Sequence, residues 1–222
     1  MELLPKHGLI IDVRANGGGK IRNGERLLQL FSPHRVEAER LHFINSEVTL
    51  AIANSDAEEG FAKPWARSIA LSTVTGAIYS QSLPLESPYL TNNIGRRYYG
   101  SVVLVTDARC YSTTDIFIAG FQDNKLGKIL GVDDNTGAGG ANAVTHDTLR
   151  EILPGKESPF QELPGGTNMR VALRATARVG DNAGMPLEDL GVQPDEIHRM
   201  TRDDLLHKNR DLIAAAAALI DL

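Results

Sequence analysis

Short apolar runs alternate with segments of helical spacing along much of this chain. The runs "GLIIDV" (8–13), "GSVVLVTD" (100–107) and "GKILGVD" (127–133) are bounded by glycine or charged residues, a pattern that predicts buried strands. The segment "STTDIFIAGFQDN" (112–124) follows the second run and predicts a helix. Because strands that alternate with helices form layered structures, the fold class we expect is α/β with a mostly parallel sheet.

The remaining segments carry weaker patterns. Four of them predict further elements: a helix in "GERLLQLF" (24–31), a strand in "RLHFIN" (40–45), a helix capped by Ser46, and a helix in "VTHDTLREIL" (144–153). Toward the C-terminus, "MRVALRATARVG" (169–180) predicts one long strand, and residues 201–222 predict one helix capped by Thr201. Neither an internal repeat nor a low-complexity linker interrupts the sequence, so we interpret residues 1–222 as a single domain.

Composition narrows the class of protein. The 222 residues are 42% hydrophobic and 23% charged, which is typical of a soluble globular chain. A formal charge of -5 without a Lys/Arg run argues against nucleic acid as a partner. The single cysteine, Cys110, excludes an internal disulfide and a cysteine-rich zinc site. No apolar run reaches the roughly 18 residues of a membrane span, and the compartment stays open between bacterial cytoplasm, periplasm and secretion.

The start of the chain differs from that of an ordinary domain. The segment "MELLPKHG" lacks the charged start and apolar middle of a signal peptide, and the first predicted strand follows it almost directly. We therefore expect the chain to be a fragment of a longer protein.

Three glycine-rich or tight loops follow the predicted strands. They are "RANGGGK" (14–20), the turn into Ser112, and "NTGAGGANA" (135–143). Because ligands of open α/β sheets bind outside the carboxyl ends of the strands, the three loops are expected to converge on one site. The spacing in "NGGGK" matches neither nucleotide-binding template, so a phosphate site is not indicated.

Ser112 has two interpretations that share one geometry. With Asp115 it fits a capping box, in which the hydroxyl accepts from the third helical amide and the carboxylate reaches back to the cap. In the same position, a nucleophilic hydroxyl lies beside free amides and the positive end of the helix dipole, which stabilise an oxyanion. The local sequence leaves both interpretations open.

Three blocks, in this order, resemble one protein family. They are "LIIDVRANGGG" (9–19), "VVLVTDARCYSTTDIFIAGFQDNKLGKILGVDDNTGAGGAN" (102–142) and "GMPLEDLGVQPDEI" (184–197). They are similar to the tail-specific, or C-terminal-processing, serine proteases, a family that includes the tricorn core, the chlamydial protease-like factor and the interphotoreceptor retinoid-binding protein repeats. The resemblance leaves residues 20–95 weakly matched, and it implies the ββα spiral of the Clp protease and crotonase superfamily.

The resemblance also implies roles for particular residues. Ser112 matches the family nucleophile, and the backbone amides of Thr113 and Gly18 match the two oxyanion donors, with Gly17 as the alternative to Gly18. Glu188 matches the carboxylate that orients the general base in one branch of the family. Glycine at the oxyanion position lets the backbone approach the substrate carbonyl closely.

The general base is the missing part of this site. The lysine-using branch places its base about 25 residues after the serine, where this chain has Gly137, while Lys125 and Lys128 are expected to point away. The histidine-using branch takes its base from a segment before the first block, so we expect the base to lie upstream of residue 1. Gly137, Gly139, Gly140 and His146 are candidate loop contacts, and His146, which follows the glycine-rich loop, is the alternative within the chain that could approach the site as a base. The other histidines are interpreted as structural or exposed: His7, His34, His42, His198 and His207.

Two further interpretations concern neighbours of the site. Asp12 and Arg14 match the first block and are expected to form a salt link that holds the strand end in shape. Cys110 lies two residues before Ser112 and is interpreted as a small apolar side chain rather than a second nucleophile.

These features predict a serine endopeptidase core that hydrolyses peptide bonds through an acyl-enzyme on Ser112. A protein or peptide is the expected substrate, neither a cofactor nor a metal is implied, and a homo-oligomer is compatible with the sequence. The alternative is a non-catalytic binding module for a peptide or apolar ligand on the same fold. Acyl-CoA chemistry of the crotonase type is a third interpretation, but it leaves the Ser112 block unexplained.

Overall fold

A computed structural model of the chain describes residues 4–55, 62–141 and 143–220. The strands in these ranges are β1 (Gly8–Asp12), β2 (Arg40–Phe43), β3 (Leu83–Pro84), β4 (Ser101–Thr106), β5 (Lys128–Gly131), β6 (Val144–Thr145), β7 (Arg170–Val171), β8 (Arg174–Ala177) and β9 (Glu196–Ile197). The α-helices are α1 (Ile21–Leu28), α2 (Glu47–Asn54), α3 (Ala66–Thr75), α4 (Thr113–Asp123), α5 (His146–Ile152), α6 (Arg202–Leu206) and α7 (Arg210–Ala218).

The first of two compact units comprises residues 4–39, 84–140 and 177–220. It contains a four-stranded sheet in the order β1-β4-β5-β9, in which every neighbouring pair is parallel. β1 and β4 run in register, with Asp12 opposite Val105, so their carboxyl ends lie side by side. The expected α/β class with a parallel sheet is thereby confirmed for this unit.

Alternation along β4 explains the layers of the first unit. Val102 and Leu104 pack with residues of α1 and α4 on one face of the sheet. Val103 and Val105 pack with residues of α7 on the other face. Successive side chains of a strand point to opposite faces, so a fully apolar strand needs a cover on both sides. The helix α4 is thus held against the sheet along its whole length, and its N-terminus lies just after the end of β4.

The second compact unit comprises residues 40–83 and 141–176 within the described ranges. β2 is the middle strand of a three-stranded sheet in the order β3-β2-β8, and β6 pairs antiparallel with β7. The Trp65 ring meets Phe43 edge to face at 5.2 Å, and its Nε1 donates to the Leu41 carbonyl at 2.9 Å. The indole is therefore buried with its only donor satisfied.

Two of the predicted elements are interrupted. The expected helix 201–222 is broken into α6 and α7, because Lys208 and Asn209 have φ angles of 57° and 60°, which no right-handed helix accommodates. Thr201 does cap α6 through a complete capping box, as predicted. The expected strand 169–180 is two strands: β7 pairs with β6, whereas β8 belongs to the sheet of β2.

The start of α1 differs from the prediction, and the described helices were also compared with the length of a membrane span. α1 begins at Ile21, three residues before the predicted start. None of the helices in residues 4–55, 62–141 and 143–220 has the length and apolar character needed to span a bilayer.

Candidate active site

The three predicted loops meet at the turn that precedes α4. The Tyr111 amide donates to the Asn16 carbonyl at 3.1 Å, which joins the first loop to the turn. The Gly137 amide donates to the Cys110 carbonyl at 2.8 Å, which joins the third loop to the same turn. The structure therefore brings all three loops together around Ser112.

Ser112 has a strained backbone. Its φ of 58° and ψ of -123° lie outside the conformations that residues other than glycine normally adopt. It occupies the N-cap position of α4, but its side chain makes no capping hydrogen bond, so the hydroxyl half of the predicted capping box is wrong. Strain of this kind persists only where the surrounding structure enforces it, and it concentrates at functional sites. The strained backbone keeps the hydroxyl out of the capping geometry.

The predicted oxyanion donors lie on either side of this turn. The Thr113 amide is the first amide of α4 and has no acceptor among the described residues. Gly18 has a φ of 101°, and a Cβ at this position would lie 2.7 Å from the Ser112 Cβ and 2.8 Å from the Thr113 nitrogen. Only glycine therefore fits between the first loop and the nucleophile turn. Gly17 is exposed, and a Cβ there would meet nothing within 4 Å.

Asn16 is a site residue that sequence reasoning missed. Its Oδ1 accepts the Gly18 amide at 3.0 Å, so one predicted oxyanion donor is engaged within its own loop. Its carbonyl accepts the Tyr111 amide, so the same residue anchors the loop to the turn. The signal that was available is an asparagine directly before the glycines, since asparagine often bonds a backbone amide two residues later.

The glycine-rich third loop is fitted to Tyr111. A Cβ on Gly139 would lie 2.3 Å from the Tyr111 Cε1 atom, so the tyrosine ring occupies the space of a side chain. The Gly139 amide donates to the Asp115 Oδ2 at 2.8 Å. Asp115 thus binds this loop.

Acidic residues at the strand ends hold the first two loops. Asp12 accepts hydrogen bonds from Arg14 Nε and Nη2 at 2.9 and 2.7 Å, which confirms the predicted salt link. Burial opposes ionisation of Asp12, but Arg14 outweighs it and holds the pKa below its usual value. Asp107, which sequence reasoning missed, is buried and accepts the amides of Ala15 and Arg109, each at 3.0 Å. The available signal was a carboxylate directly after a buried strand.

Glu188 lies in a segment that is tied to the third loop. It is half-buried between Leu187, which is fully buried, and Asp189, which has a φ of 68°. The Val192 amide donates to the Thr136 Oγ1 at 2.9 Å, and the Thr136 amide donates to the Val192 carbonyl at 3.2 Å. Two hydrogen bonds therefore join the segment 187–192 to the third loop.

The described residues supply no evident general base for Ser112. None of the histidines in those ranges hydrogen-bonds to its hydroxyl. His198 Nε2 donates to the Asp204 Oδ2 at 2.6 Å, and His146 Nε2 donates to the Gln161 carbonyl at 2.7 Å within the second unit. The remaining histidines are exposed or lie in the second unit: His7, His34, His42 and His207.

The two lysines of the second block lie at the other end of α4. Lys125 directly follows the C-cap of α4 and pairs with Asp181 at 2.8 Å. Lys128 is the first residue of β5, at the opposite end of that strand from the loops. Both positions agree with the expectation that these lysines point away from Ser112. Gly140 is buried at the end of the third loop.

An apolar cavity of about 400 Å³ lies beside the nucleophile turn. Its lining comes from the end of β1, the first loop, α1 and the start of α4, and includes Val13, Gly18, Gly24, Leu27, Thr113 and Phe117. A side chain at Gly24 would collide with the Thr113 methyl group at 2.8 Å, so glycine there keeps α1 and α4 close. The cavity has the size and polarity to hold an apolar side chain. No group of three or more His, Cys, Asp or Glu side chains within residues 4–55, 62–141 and 143–220 is arranged to bind a metal ion.

Comparison with known proteins supports this reading of the fold. Mature CPAF complexed with lactacystin is 17% identical to this chain with a TM-score of 0.68, over 97% of this chain and 45% of that chain. A putative peptidase from Parabacteroides merdae is 21% identical with a TM-score of 0.61, over 96% of this chain and 51% of that chain. The chain thus spans about half the length of these solved structures.

A comparison of the sequence with models of protein families identifies the family of this chain. No curated protein matches the chain at a significant level. Residues 2–197 match the model of peptidase family S41, and this range includes the segment 20–95 that the three sequence blocks left weakly matched. The resemblance inferred from those blocks is therefore confirmed: the chain belongs to peptidase family S41.

Proposed function

We propose that this chain forms the nucleophile-bearing core of a serine endopeptidase. The observation that carries the proposal is the strained Ser112 at the N-terminus of α4, with its hydroxyl released from capping and the Thr113 amide left without an acceptor. A serine placed beside an unused helix-terminal amide is the arrangement that acyl transfer requires. We also assign the fold to the Clp protease and crotonase-like ββα spiral, for which the parallel sheet and the loops at its carboxyl end are the support.

The chemistry follows from these positions. The Ser112 Oγ attacks the peptide carbonyl carbon, and its proton passes to a general base as the new C–O bond forms. The Thr113 amide holds the resulting oxyanion. The C–N bond then breaks while the base returns the proton to the leaving amine, and water hydrolyses the acyl-enzyme by the same route. The sequence prediction that the base precedes residue 1 remains part of this proposal, as does Glu188 as the residue that orients it.

The second oxyanion donor requires one local rearrangement. The Gly18 amide donates to the Asn16 Oδ1 in the structure, so the Asn16 side chain has to turn away before that amide can bind an oxyanion. Each such donor is worth roughly 100- to 1000-fold in rate.

The substrate is proposed to be a peptide or protein. β1 lies at an edge of the four-stranded sheet, so an extended peptide can pair along it and present its carbonyl at the loop that follows. The 400 Å³ cavity beside Ser112 would accept an apolar side chain of that peptide. The same cavity favours the alternative of a binding module for a peptide or apolar ligand, which the experiment below separates.

The test is covalent labelling of the natural full-length protein with a serine-directed fluorophosphonate between pH 6 and 9. We expect one adduct at Ser112, identified by mass spectrometry, and none in Ser112→Ala. The matched control is Ser101→Ala, which alters an exposed serine at the start of β4 and should leave labelling unchanged. Absence of any adduct across this pH range would contradict the protease proposal and favour the binding module.

A further inference from the structure

Asp115 is more deeply buried than a helix-capping residue needs to be. It is the third residue of α4 and has no exposed surface. Its Oδ2 accepts the Gly139 amide at 2.8 Å, while its Oδ1 is buried without a hydrogen-bond partner among the described residues. Burying a carboxylate that is only partly satisfied is costly, so a structure that retains one there has to gain something from it.

The burial is visible in the acidity of the group. Removal from water raises the pKa of Asp115, and the polar groups around it, the Thr136 hydroxyl and the amides of Gly139, Ala138 and Ser112, offset only part of the rise. The N-terminal end of α4 also favours a negative charge, because the first amides of a helix carry its positive pole. A capping role alone would not require burial, since the first turn of a helix stabilises exposed carboxylates as well.

What Asp115 holds is the third loop. The Gly139 amide donates to its carboxylate, and the Gly137 amide donates to the Cys110 carbonyl, so two hydrogen bonds join the loop to residues 110–115, in addition to the packing of the Tyr111 ring on Gly139. Of these two hydrogen bonds, the one to Cys110 is backbone to backbone. The bond that Asp115 accepts is therefore the side-chain hydrogen bond through which a substitution can release the loop.

The third loop in turn carries the segment with Glu188. Thr136 exchanges two hydrogen bonds with Val192, one in each direction. The Gly191 α-carbon packs on the Thr136 backbone, where a Cβ would lie 2.9 Å from the Thr136 carbonyl oxygen. A shift of the loop would therefore move the segment 187–192 relative to α4.

We infer that Asp115 is a positioning residue for the proposed reaction: its carboxylate fixes the third loop, and through Thr136 the segment that carries Glu188, against the turn that bears Ser112. This inference rests on the proposed function. Asp115 touches neither substrate nor the reacting atoms. It acts by holding the loops within the small displacement that catalysis tolerates.

The experiment compares Asp115→Ala and Asp115→Asn in the natural full-length protein. For Asp115→Ala we expect the fluorophosphonate labelling rate of Ser112 and the kcat for a peptide substrate to fall about 100-fold, with KM little changed, because the loops lose alignment rather than binding surface. Asp115→Asn keeps an oxygen that can accept the Gly139 amide, so it should rescue most of the loss, leaving about a 10-fold deficit. These rates are expressed per folded molecule. A loss of stability alone would lower the folded fraction but not this rate, so it would produce neither the loss in Asp115→Ala nor the rescue in Asp115→Asn.

The matched control is Asp123→Asn, at the other end of the same helix. Asp123 is equally inaccessible and binds Arg178, so its substitution should destabilise the fold while the labelling rate per folded molecule stays within about 2-fold of wild type. Equal rates per folded molecule for wild type and Asp115→Ala would overturn the inference. So would a parallel loss of rate in Asp115→Ala and Asp123→Asn.

Amide hydrogen exchange separates this inference from the proposed function. In Asp115→Ala, exchange in peptides covering residues 135–140 should accelerate at least about 10-fold, with no such change in Asp123→Asn. If wild-type Ser112 is never labelled, the proposed function fails, and the exchange result still decides whether Asp115 holds the loop. Unchanged exchange in Asp115→Ala contradicts the inference in either case.

Discussion

The two ends of α4 bury aspartates in opposite ways. Asp123, near the C-terminus, accepts hydrogen bonds from Arg178 Nε and Nη2 at 3.0 and 2.6 Å, and a third from Asn182 at 2.6 Å. Arg178 is itself 5% exposed, so this is a fully enclosed, bidentate ion pair. Asp115, near the N-terminus, faces no cation within hydrogen-bond distance in the described part of the chain and leaves one oxygen unpaired.

The difference suggests a division of roles along α4: the C-terminal end stabilises the fold, and the N-terminal end carries the groups of the proposed reaction. At the C-terminus the charge of Asp123 is paired directly with that of Arg178. At the N-terminus the Ser112 hydroxyl makes no capping bond and the Thr113 amide has no acceptor. These two groups are therefore free for the proposed reaction, while other contacts hold the surrounding loops. The following predictions test this division, from the largest expected effect to the smallest.

Removal of the Asp123 carboxylate should produce the largest change in stability. Asp123→Ala leaves Arg178 buried without its partner, so the free energy of unfolding should fall by about 3–5 kcal/mol. Urea denaturation monitored by circular dichroism measures this change. The double variant Asp123→Ala with Arg178→Met should recover part of the loss, because no unpaired charge remains. A decrease below about 1 kcal/mol would contradict the structural role of this end.

Substitution of Gly18 should produce the largest change in reactivity. In Gly18→Ala the added methyl collides with Ser112 and Thr113, and the φ of 101° becomes strained, so the first loop has to withdraw from the nucleophile turn. The rate of fluorophosphonate labelling at Ser112 should fall roughly 100- to 1000-fold. Gly19→Ala is the folding control, because its methyl meets nothing within 4 Å and should leave the unfolding free energy nearly unchanged. Wild-type labelling in Gly18→Ala would show that the first loop is not part of the site.

Glu25 should make stability depend on pH. It is fully buried in α1, and burial, with the nearby charge of Glu86, raises its pKa from 4.5 to about 8. Between these two values the unfolded chain has lost this proton and the folded chain retains it, so stability falls as the pH rises and levels off above about 8.

The corresponding measurement is a denaturant titration at several pH values. From pH 6 to pH 7.5 the Glu25 contribution should decrease by about 2 kcal/mol, and Glu25→Gln should remove that part of the slope. Exposed Glu37→Gln is the control and should leave the slope as in wild type. An unchanged slope in Glu25→Gln would show that Glu25 is ionised in the folded protein.

Cys110 should show the smallest effect, despite its proximity to Ser112. Burial raises the pKa of its thiol to about 12, and its Sγ donates to the Val13 carbonyl at 3.1 Å. At pH 8 only roughly one thiol in ten thousand is ionised, so a thiol reagent should not react until the protein is unfolded. Colorimetric thiol titration with and without denaturant measures this. Rapid modification of the folded protein would mean that the turn before α4 is more open than the structure shows.

Much of the fold followed from local pattern. β1, β4 and α4 lie where their apolar runs predicted, because a buried strand or helix needs a continuous set of apolar side chains. Thr201 caps α6 with Asp204 as its partner three residues on, a contact that depends only on local spacing. The convergence of the three loops followed from the parallel topology, which places the carboxyl ends of the strands together.

Other features escaped local pattern. Lys208 and Asn209 adopt left-handed conformations that break a stretch with high helix propensity, while the Leu212 amide bonds to Asp204 across the break. Glu25 and Glu39 are buried carboxylates in segments that resemble solvated faces. Their burial depends on what packs over them, and no window of neighbouring residues contains that information.

The sequence by itself determined β1, β4, α4 and β5 in their order, the three family blocks, and the placement of a serine where a strand meets a helix, because these depend on short-range periodicity and motif spacing. Only the tertiary structure decided that Ser112 is strained rather than capping, that Asn16 occupies the Gly18 amide, and that Asp115 binds Gly139, 24 residues away in sequence. The physical reason is that a polar group chooses its partner from whatever the packed core brings within about 3 Å, and packing is a property of the whole chain.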